Sequence, residues 1–128
     1  MKKAFVEDAD CIRRTRRAVR KWAIEKKYCE PDCSAYKAAE QMGMSVLQLN
    51  WYCRVHLGRP FNQFRKELRI REAVRLVLKF PGKPYSLIGE AVGIPDKSNF
   101  RRDFRKVTGM TPDRYRKRFR ILHFLLRH

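Results

Sequence analysis

The stretch that decides the fold spans residues 89–109 and reads GEAVGIPDKSNFRRDFRKVTG. An earlier stretch, residues 39–58, has a similar pattern and reads AEQMGMSVLQLNWYCRVHLG. In each, a small residue and a Glu precede a glycine, an apolar residue follows it, and an apolar pair at helical spacing leads to a second glycine. The first glycines, Gly43 and Gly93, are 50 residues apart, and the second glycines are 51 apart. The chain therefore contains one helix–glycine–helix unit twice.

Such a unit is typical of a helix-turn-helix, in which one helix braces the DNA backbone and the next enters the major groove. Gly43 and Gly93 would supply the left-handed residue of each tight turn, where a side chain is resisted. Met44 and Ile94 are expected to fill the angle between the helices. Gly89 costs up to ~1 kcal/mol in helix propensity against Ala, so we expect close helix packing there.

Helical spacing and capping residues predict an all-α fold of about seven helices without strands. The predicted helices span about 9–27, 35–42, 46–57, 61–78, 85–92 and 97–108, with a seventh from 112 onward. The predicted N-caps are Asp8 or Asp10, Ser34, Ser45 and Asp96. The segment 80–84, FPGKP, is the clearest linker.

Three segments follow from these helices. Residues 1–60 form an N-terminal extension and a first helix-turn-helix subdomain, residues 61–79 a central linker helix, and residues 80–128 a second subdomain with an apolar C-terminal extension. The tail 119–126, FRILHFLL, is strongly apolar. It either continues the seventh helix and covers the second core, or forms a surface for a partner or for self-association.

The charge is strongly basic, with 31 Lys and Arg against 13 Asp and Glu and a net charge of +18. Residues 1–60 carry 13 basic and 7 acidic residues, and residues 61–128 carry 18 and 6. This excess favours a polyanion, nucleic acid first, over a merely soluble basic surface. A hydrophobic content of 44% is enough for a core.

Several classes of protein are disfavoured. No segment approaches the ~18 apolar residues of a membrane span, and residues 1–8 do not form a signal peptide, so we expect a cytoplasmic, nucleoid-associated protein. Cys29 and Cys33 have a loose metal-ligand spacing without a second pair, and Cys53 lies at a core position, so no metal or cofactor is predicted. The chain also lacks a phosphate-binding glycine loop and a nucleophile with a base, so no enzyme is predicted.

The predicted sixth helix has a cationic outer face. Phe100, Phe104 and Val107 face inward. The outward residues are Lys97, Ser98, Arg101, Arg102 and Arg105. The first four suit base edges such as guanine O6 and N7, and Arg105 suits phosphate. The alternative is a solvated helix surface.

The predicted third helix is more apolar. Leu49, Cys53 and Leu57 face inward. The opposite face carries Leu47, Asn50, Trp51 and Arg54. Leu47 and Trp51 suit thymine methyls or sugars, Asn50 suits adenine, and Arg54 suits phosphate. Alternatively, Trp51 folds back onto the first helix or its loop. Without a strong cationic reader, this helix should discriminate less than the sixth.

Helix N-termini bind phosphate through free N–H groups. The two brace helices begin nine residues before their turn glycines, so backbone phosphate contacts are predicted near Ala35 and Tyr85. The cations of the seventh helix are further phosphate candidates or a solvated face: Arg114, Arg116, Lys117 and Arg118.

The segments 88–94, 99–106, 108–112 and 115–116 resemble the signature of AraC/XylS-type transcriptional regulators. The first half of the same domain is matched by Ser45, Leu49, Gly58, Phe61, Arg69 and Ala73. The resemblance covers about residues 19–117. It implies seven helices, two helix-turn-helix subdomains joined by a central helix, and two successive major grooves of bent DNA. It assigns base reading to Leu47, Asn50, Trp51, Lys97, Ser98, Arg101 and Arg102.

The chain departs from the family at Cys53, where an aromatic is usual, at Gly89, where Ala is usual, and at Trp51, which replaces a polar or basic reader. Most such regulators carry a sensor or dimerisation domain, so the chain is either a stand-alone member, as the Met1 start favours, or an excised domain. The hypothesis is sequence-specific binding of double-stranded promoter DNA as a monomer, with RNA polymerase as a further partner. An RNA-binding module and a protein–protein adaptor are the alternatives.

Overall fold

A computed structural model describes the backbone of residues 8–127 and the side chains of residues 8–120. This part contains seven α-helices, one short 3-10 helix at Lys27–Cys29 and no strand. The α-helices are α1 (Ala9–Ile24), α2 (Ala35–Met42), α3 (Val46–His56), α4 (Phe61–Lys79), α5 (Tyr85–Ala91), α6 (Lys97–Thr108) and α7 (Pro112–Arg127). The predicted all-α fold is confirmed.

The helices begin where the sequence predicted because their N-caps are local. The carboxylate of Asp8 accepts from the Cys11 N–H at 2.7 Å, and that of Asp96 accepts from Asn99 at 2.8 Å. The hydroxyls of Ser34 and Ser45 each accept an N–H three residues on at 3.1 Å. Each cap satisfies a donor that the first helical turn leaves free.

The predicted end of α1 at about residue 27 is wrong. The helix ends at Ile24, and Lys26 takes a left-handed conformation with φ 57°. A left-handed residue stops helix propagation. The chain then enters the 3-10 helix, whose Tyr28 is buried in the core.

The chain divides into two compact units, one up to Leu68 and one from Arg69 onward, with the boundary inside α4. In the first unit, the Trp22 ring lies 5.7 Å from Phe61 and 6.1 Å from Tyr28, between ring centroids. Leu49 and Cys53 are fully buried beside them. Cys53 therefore packs as a small hydrophobe, as predicted.

A buried polar link joins α1 to α3. Thr15 is 2% exposed, and its hydroxyl donates to the Cys11 carbonyl at 2.8 Å. The same oxygen accepts from Gln48 Nε2 at 2.7 Å. Thr15 was not among the residues predicted to face the core, because it stands between arginines in a polar stretch.

In the second unit, Phe104 is fully buried between α6 and α7. Its ring centroid lies 5.8 Å from that of Phe100 and 5.6 Å, edge to face, from that of Tyr115. Ile88 in α5 and Val92 at its end are also fully buried. This packing holds the inner face of α6 and leaves its outer face open.

Each unit contains the predicted tight turn. The Met44 N–H donates to the Ala39 carbonyl at 3.0 Å, and the Ile94 N–H to the Gly89 carbonyl at 2.8 Å. Gly93 supplies the left-handed residue, with φ 88°. A Cβ on Gly89 would lie 2.6 Å from the Ile94 carbonyl oxygen, which confirms the expected close packing.

Arg116 is engaged with the linker at 80–84. Its guanidinium donates to the carbonyls of Val77 and Phe80 at 3.3 Å and of Lys83 at 3.4 Å, and lies 4.6 Å from the centroid of the Tyr85 ring. A structural role therefore replaces the phosphate contact considered for this residue.

One of the two predictions for the C-terminal tail was that it continues the seventh helix. This is confirmed, because α7 runs to Arg127. Within it, the rings of Tyr115 and Phe119 lie 4.4 Å apart between centroids. The side chains of residues 121–128 lie outside the described residues, so covering the core and self-association both stay predictions. Residues 1–7 also lie outside the described part.

Candidate nucleic-acid interface

The outer face of α6 is continuous, cationic and exposed. Phe100 and Phe104, which face inward, are 3% and 0% exposed. All five outward side chains predicted from the sequence are exposed: Lys97, Ser98, Arg101, Arg102 and Arg105. The structure thus brings these five residues together on one helix face.

The positive charge of this face comes from the side chains of α6. α6 carries five basic residues and a single acidic one, Asp103. The Arg102 guanidinium donates to the Asn99 side-chain oxygen at 2.7 Å and lies 3.9 Å from the Asp103 carboxylate. These contacts orient Arg102 along the helix. A guanidinium held in this way can present its paired donors to guanine or to phosphate.

The outer face of α3 is smaller and less charged. Leu47 is 58% exposed, Arg54 is exposed, and Asn50 is half-buried. Arg54 and His56, both in the last turn, are its basic residues. The contrast with α6 that the sequence predicted is present in the structure.

Trp51 is less available than its sequence position suggested. Its side chain is half-buried and packs against the core of the first unit. Its ring also meets His56 edge to face, at 5.2 Å between centroids. The indole is therefore only partly exposed, and both its predicted contact with DNA and its predicted packing onto the first helix or its loop stay predictions. An exposed edge remains for contact with a ligand.

Tyr52 belongs to the core of the first unit, and the sequence analysis missed it. Its side chain is 3% exposed and stacks on His56 at 5.1 Å. Leu57, which was predicted to face inward, is only half-buried. The helical spacing of Leu49 and Tyr52, three residues apart, was the available signal.

The start of α2 has the features expected of a phosphate-binding helix end. Ala35 is its first residue, and the Ser34 hydroxyl leaves the first N–H groups partly unsatisfied. The Lys37 ammonium, 3.0 Å from both Asp32 carboxylate oxygens, lowers the pKa of Asp32, and this hydrogen bond raises the pKa of Lys37. Lys37 also lies 3.6 Å from Glu30, so the two carboxylates offset its charge and the phosphate contact predicted near Ala35 would rest on the backbone N–H groups.

The start of α5 borders a recess on the second unit. Tyr85, the first residue, is half-buried, and burial raises the pKa of its phenol. A cavity of ≈ 370 Å³ opens beside it, with Ile94 and Phe100 in its wall and Lys97 and Arg101 at the α6 side. The predicted phosphate position at Tyr85 and the α6 face therefore border one concave surface.

The described residues contain neither a metal-binding cluster nor a membrane-spanning helix. Within residues 8–127, no group of three or more His, Cys, Asp or Glu side chains is placed to hold a metal ion. Cys33 is fully buried in the core of the first unit, and Cys29 packs against the same core. In the same part of the chain, no helix combines the length and apolarity needed to cross a bilayer.

Two helix-turn-helix units with exposed second helices, one of them strongly cationic, define a DNA-binding domain of the transcription-regulator class. Comparison with known proteins agrees. Residues 38–118 match the family described as "Helix-turn-helix domain". The chain belongs to this family, as a DNA-binding domain of the AraC/XylS type.

Relatives and solved structures bear this out. The arabinose operon regulatory protein of Salmonella typhimurium is 32% identical over 78 residues, which are 61% of this chain and 27% of that protein. The C-terminal domain of AraT, a response regulator from Geobacillus stearothermophilus, has TM-score 0.71 and 28% identity, covering 81% of this chain and 84% of that one. An AraC-type transcriptional regulator from Chromobacterium violaceum has TM-score 0.70 and 25% identity, covering 86% and 95%.

The chain spans about a quarter of the length of the curated relatives that it matches, 27% of one and 26% of another. The similarity therefore concerns one part of those proteins.

Proposed function

We propose that this chain regulates transcription by binding a specific double-stranded promoter sequence, with α3 and α6 in successive major grooves. The observation that carries the proposal is the exposed α6 face, where three arginines and a lysine stand outward while Phe100 and Phe104 anchor the helix. Arginine and lysine are the side chains that most often read guanine in the major groove.

Within α6, Lys97, Ser98, Arg101 and Arg102 are proposed to contact base edges, and Arg105 to contact phosphate. Arg101 and Arg102 carry the largest share, because a bidentate guanidinium contributes about 1–3 kcal/mol of discrimination against a wrong base. Ser98 can donate or accept, so it tolerates more than one base.

Within α3, Leu47 and the exposed edge of Trp51 are proposed to contact thymine methyls or sugars. Asn50 would bond adenine, and Arg54 a phosphate. The partial burial of Trp51 limits its reach, so α3 is proposed to supply less discrimination than α6. The backbone N–H groups at Ala35 and Tyr85 would fix the register by holding phosphates.

The proposed setting is the cytoplasm, at the nucleoid, with the domain acting as a monomer and RNA polymerase as a further partner. Where the domain self-associates, the 119–126 tail is the proposed contact surface. No catalytic step and no cofactor are proposed, because nothing in either reading face requires one.

A first test separates this proposal from RNA binding. Fluorescence anisotropy would compare one labelled duplex DNA, the matching duplex RNA and single-stranded DNA at physiological salt. Preference for duplex DNA, weakened by Arg101→Ala with Arg102→Ala, supports the proposal. Equal affinity for all three, unchanged by these substitutions, would contradict it.

A protein–protein adaptor is the second candidate, favoured by two exposed apolar side chains on α3, Leu47 at 58% and Val55 at 59%. It predicts that Leu47→Ser and Val55→Ser abolish partner capture and leave DNA affinity unchanged. A loss of DNA affinity with Leu47→Ser alone favours the DNA-reading role instead.

A further inference from the structure

The first helix carries six exposed cations in two rows beside its buried stripe. One row is Arg14, Arg17 and Lys21, and the other is Arg13, Arg16 and Arg20. Each row has spacing i, i+3, i+7, so its members share one side of the helix. The buried stripe, which includes Val19 and Trp22, has one row on each side of it. Neither row is part of the reading faces described above.

The two rows differ in what lies next to them. Arg14, Arg17 and Lys21 line a groove of ≈ 330 Å³ that α1 forms with the end of α2, and Trp22 and Met42 provide its apolar surface. Lys27 adds a fourth cation, and Glu25 is the one carboxylate in the lining. The groove is therefore strongly positive, with a net excess of three charges.

This groove is held at a fixed position beside the first helix-turn-helix. Trp22 Nε1 donates to Gln41 Oε1 at 2.9 Å, which ties α1 to the last turn of α2. Gln48 Nε2 donates to the Thr15 hydroxyl at 2.7 Å, which ties α1 to the first turn of α3. The N-terminal part of a recognition helix is the part that contacts base edges. The cationic row thus flanks the end of α3 that would lie in the major groove of the DNA.

We propose that Arg14, Arg17 and Lys21 bind phosphates of the DNA strand that borders the groove entered by α3. This inference rests on the proposed function and adds a third contact region to the two reading helices. Seven residues of helix measure about 10 Å. Successive phosphates of one DNA strand rise by ~3.4 Å along the helix axis but lie about 7 Å apart in space, so a row of this length can face about two phosphates.

The chemistry of the row suits phosphate. The ion pair of Arg14 with Asp10 joins side chains that are 69% and 61% exposed. Exposed pairs of this kind contribute little, so Arg14 can exchange Asp10 for phosphate at small cost. Arg17 and Lys21 line the same groove as Met42, and the aliphatic stems of such side chains can cover an apolar surface while their charged ends stay in water.

The test compares two triple variants with equal loss of charge. Arg14→Gln, Arg17→Gln and Lys21→Gln remove the proposed row, and Arg13→Gln, Arg16→Gln and Arg20→Gln remove the other row as control. The affinity for one duplex is measured over a range of salt concentrations. Each lost phosphate contact should reduce the slope of log K against log salt by about 0.9. The first variant should lose about two units of slope, and the control less than one.

Two further measurements decide the place of the contact. The first variant should keep the base preference of the wild-type chain, and its defect should vanish on a duplex trimmed on the α3 side of the site. Equal slopes for the two variants would overturn the inference, as would a defect that persists on the trimmed duplex. An unchanged slope with lost binding to RNA polymerase would assign the row to an acidic protein surface instead.

The salt-dependence test of the α1 row can succeed or fail independently of the proposed function. If wild-type chain selects no sequence, the proposed function fails, but the slopes on an arbitrary duplex still decide whether this row meets phosphate. Circular dichroism on both variants checks that they fold, which is expected because all six side chains are exposed.

Discussion

Gly89 is the residue at which a single methyl group should matter most. Its backbone lies so close to the Ile94 carbonyl that a Cβ would sit 2.6 Å from that oxygen, with the Phe100 ring 3.4 Å away on another side. Neither neighbour is the free end of a flexible side chain. The first copy has Ala39 at the same place, so the two turns are packed differently.

Gly89→Ala should therefore destabilise the second unit, although alanine is the better helix former. The substitution gains up to ~1 kcal/mol of propensity, and overpacking costs about 1–3 kcal/mol. Because the Cβ would meet backbone at 2.6 Å, the cost should lie in the upper half of this range, which leaves a net loss of about 1–2 kcal/mol in urea unfolding. Gly82→Ala is the matched control, since a Cβ there meets nothing within 4 Å. Equal or higher stability of Gly89→Ala would contradict the close-packing explanation.

Cys53 should give the first unit a specific pH dependence. Burial raises the pKa of its thiol from 9.0 to about 11. Because the folded state holds the proton more tightly than the unfolded state, the stabilising effect is complete below pH 9 and is lost as the pH rises towards 11. The difference in unfolding free energy between wild-type and Cys53→Ala should then shrink by about 2–3 kcal/mol. A constant difference from pH 8 to 11 would refute this.

At the scale of helices, the Thr15–Gln48 link decides how firmly α1 is fixed to α3. The Thr15 hydroxyl is buried and uses both its donor and its acceptor, so removing one partner leaves an unsatisfied polar group. Thr15→Val and Gln48→Leu should each cost about 1–3 kcal/mol.

The double variant should cost less than the sum of the single ones, because it removes both polar partners together. We expect a coupling of about 1 kcal/mol in a double-mutant cycle measured by thermal unfolding. Strict additivity would mean that this hydrogen bond contributes nothing. If the link also positions the first reading helix, both single variants should weaken DNA binding beyond their effect on the folded fraction.

The sequence was a good guide to the helices because their ends are encoded locally. A serine or aspartate caps the free N–H three residues later, and a glycine allows the turn that ends a helix. Both effects depend only on residues close by in the sequence. The end of α1 was missed because no glycine or proline marks it, and the left-handed turn falls on Lys26. Proline at 31 indicated only that the helix had to stop before it.

The reading faces could be predicted only where one side of a helix is clearly apolar. In α6, two phenylalanines four residues apart fix the inward side, so the five polar residues had to face out. In α3 the apolar residues surround the helix, and packing decides between them. Tyr52 is buried and Val55 is exposed, which neighbours from α1 and α2 determine rather than spacing.

Across the whole molecule, the two units share one kind of turn and differ in the helix that follows it. The hydrogen bonds Met44 to Ala39 and Ile94 to Gly89 are equivalent. α6, which follows the second turn, carries four net positive charges. α3, which follows the first turn, carries Arg54 and has apolar side chains on its outer face. On this basis we propose that the second unit anchors the chain on a defined sequence, and that the first contributes apolar contacts and phosphate binding.

The most direct test is selection from random duplex DNA, carried out with wild-type chain and with the double variant Arg101→Ala and Arg102→Ala. Arg13→Ala with Arg16→Ala, an equal charge loss outside both reading helices, is the control. We predict one enriched site of about 15–20 base pairs for wild-type and control, and loss of base preference at one end of it for the α6 variant. An α6 variant that selects the same full site as wild-type would contradict the role of α6 in reading sequence.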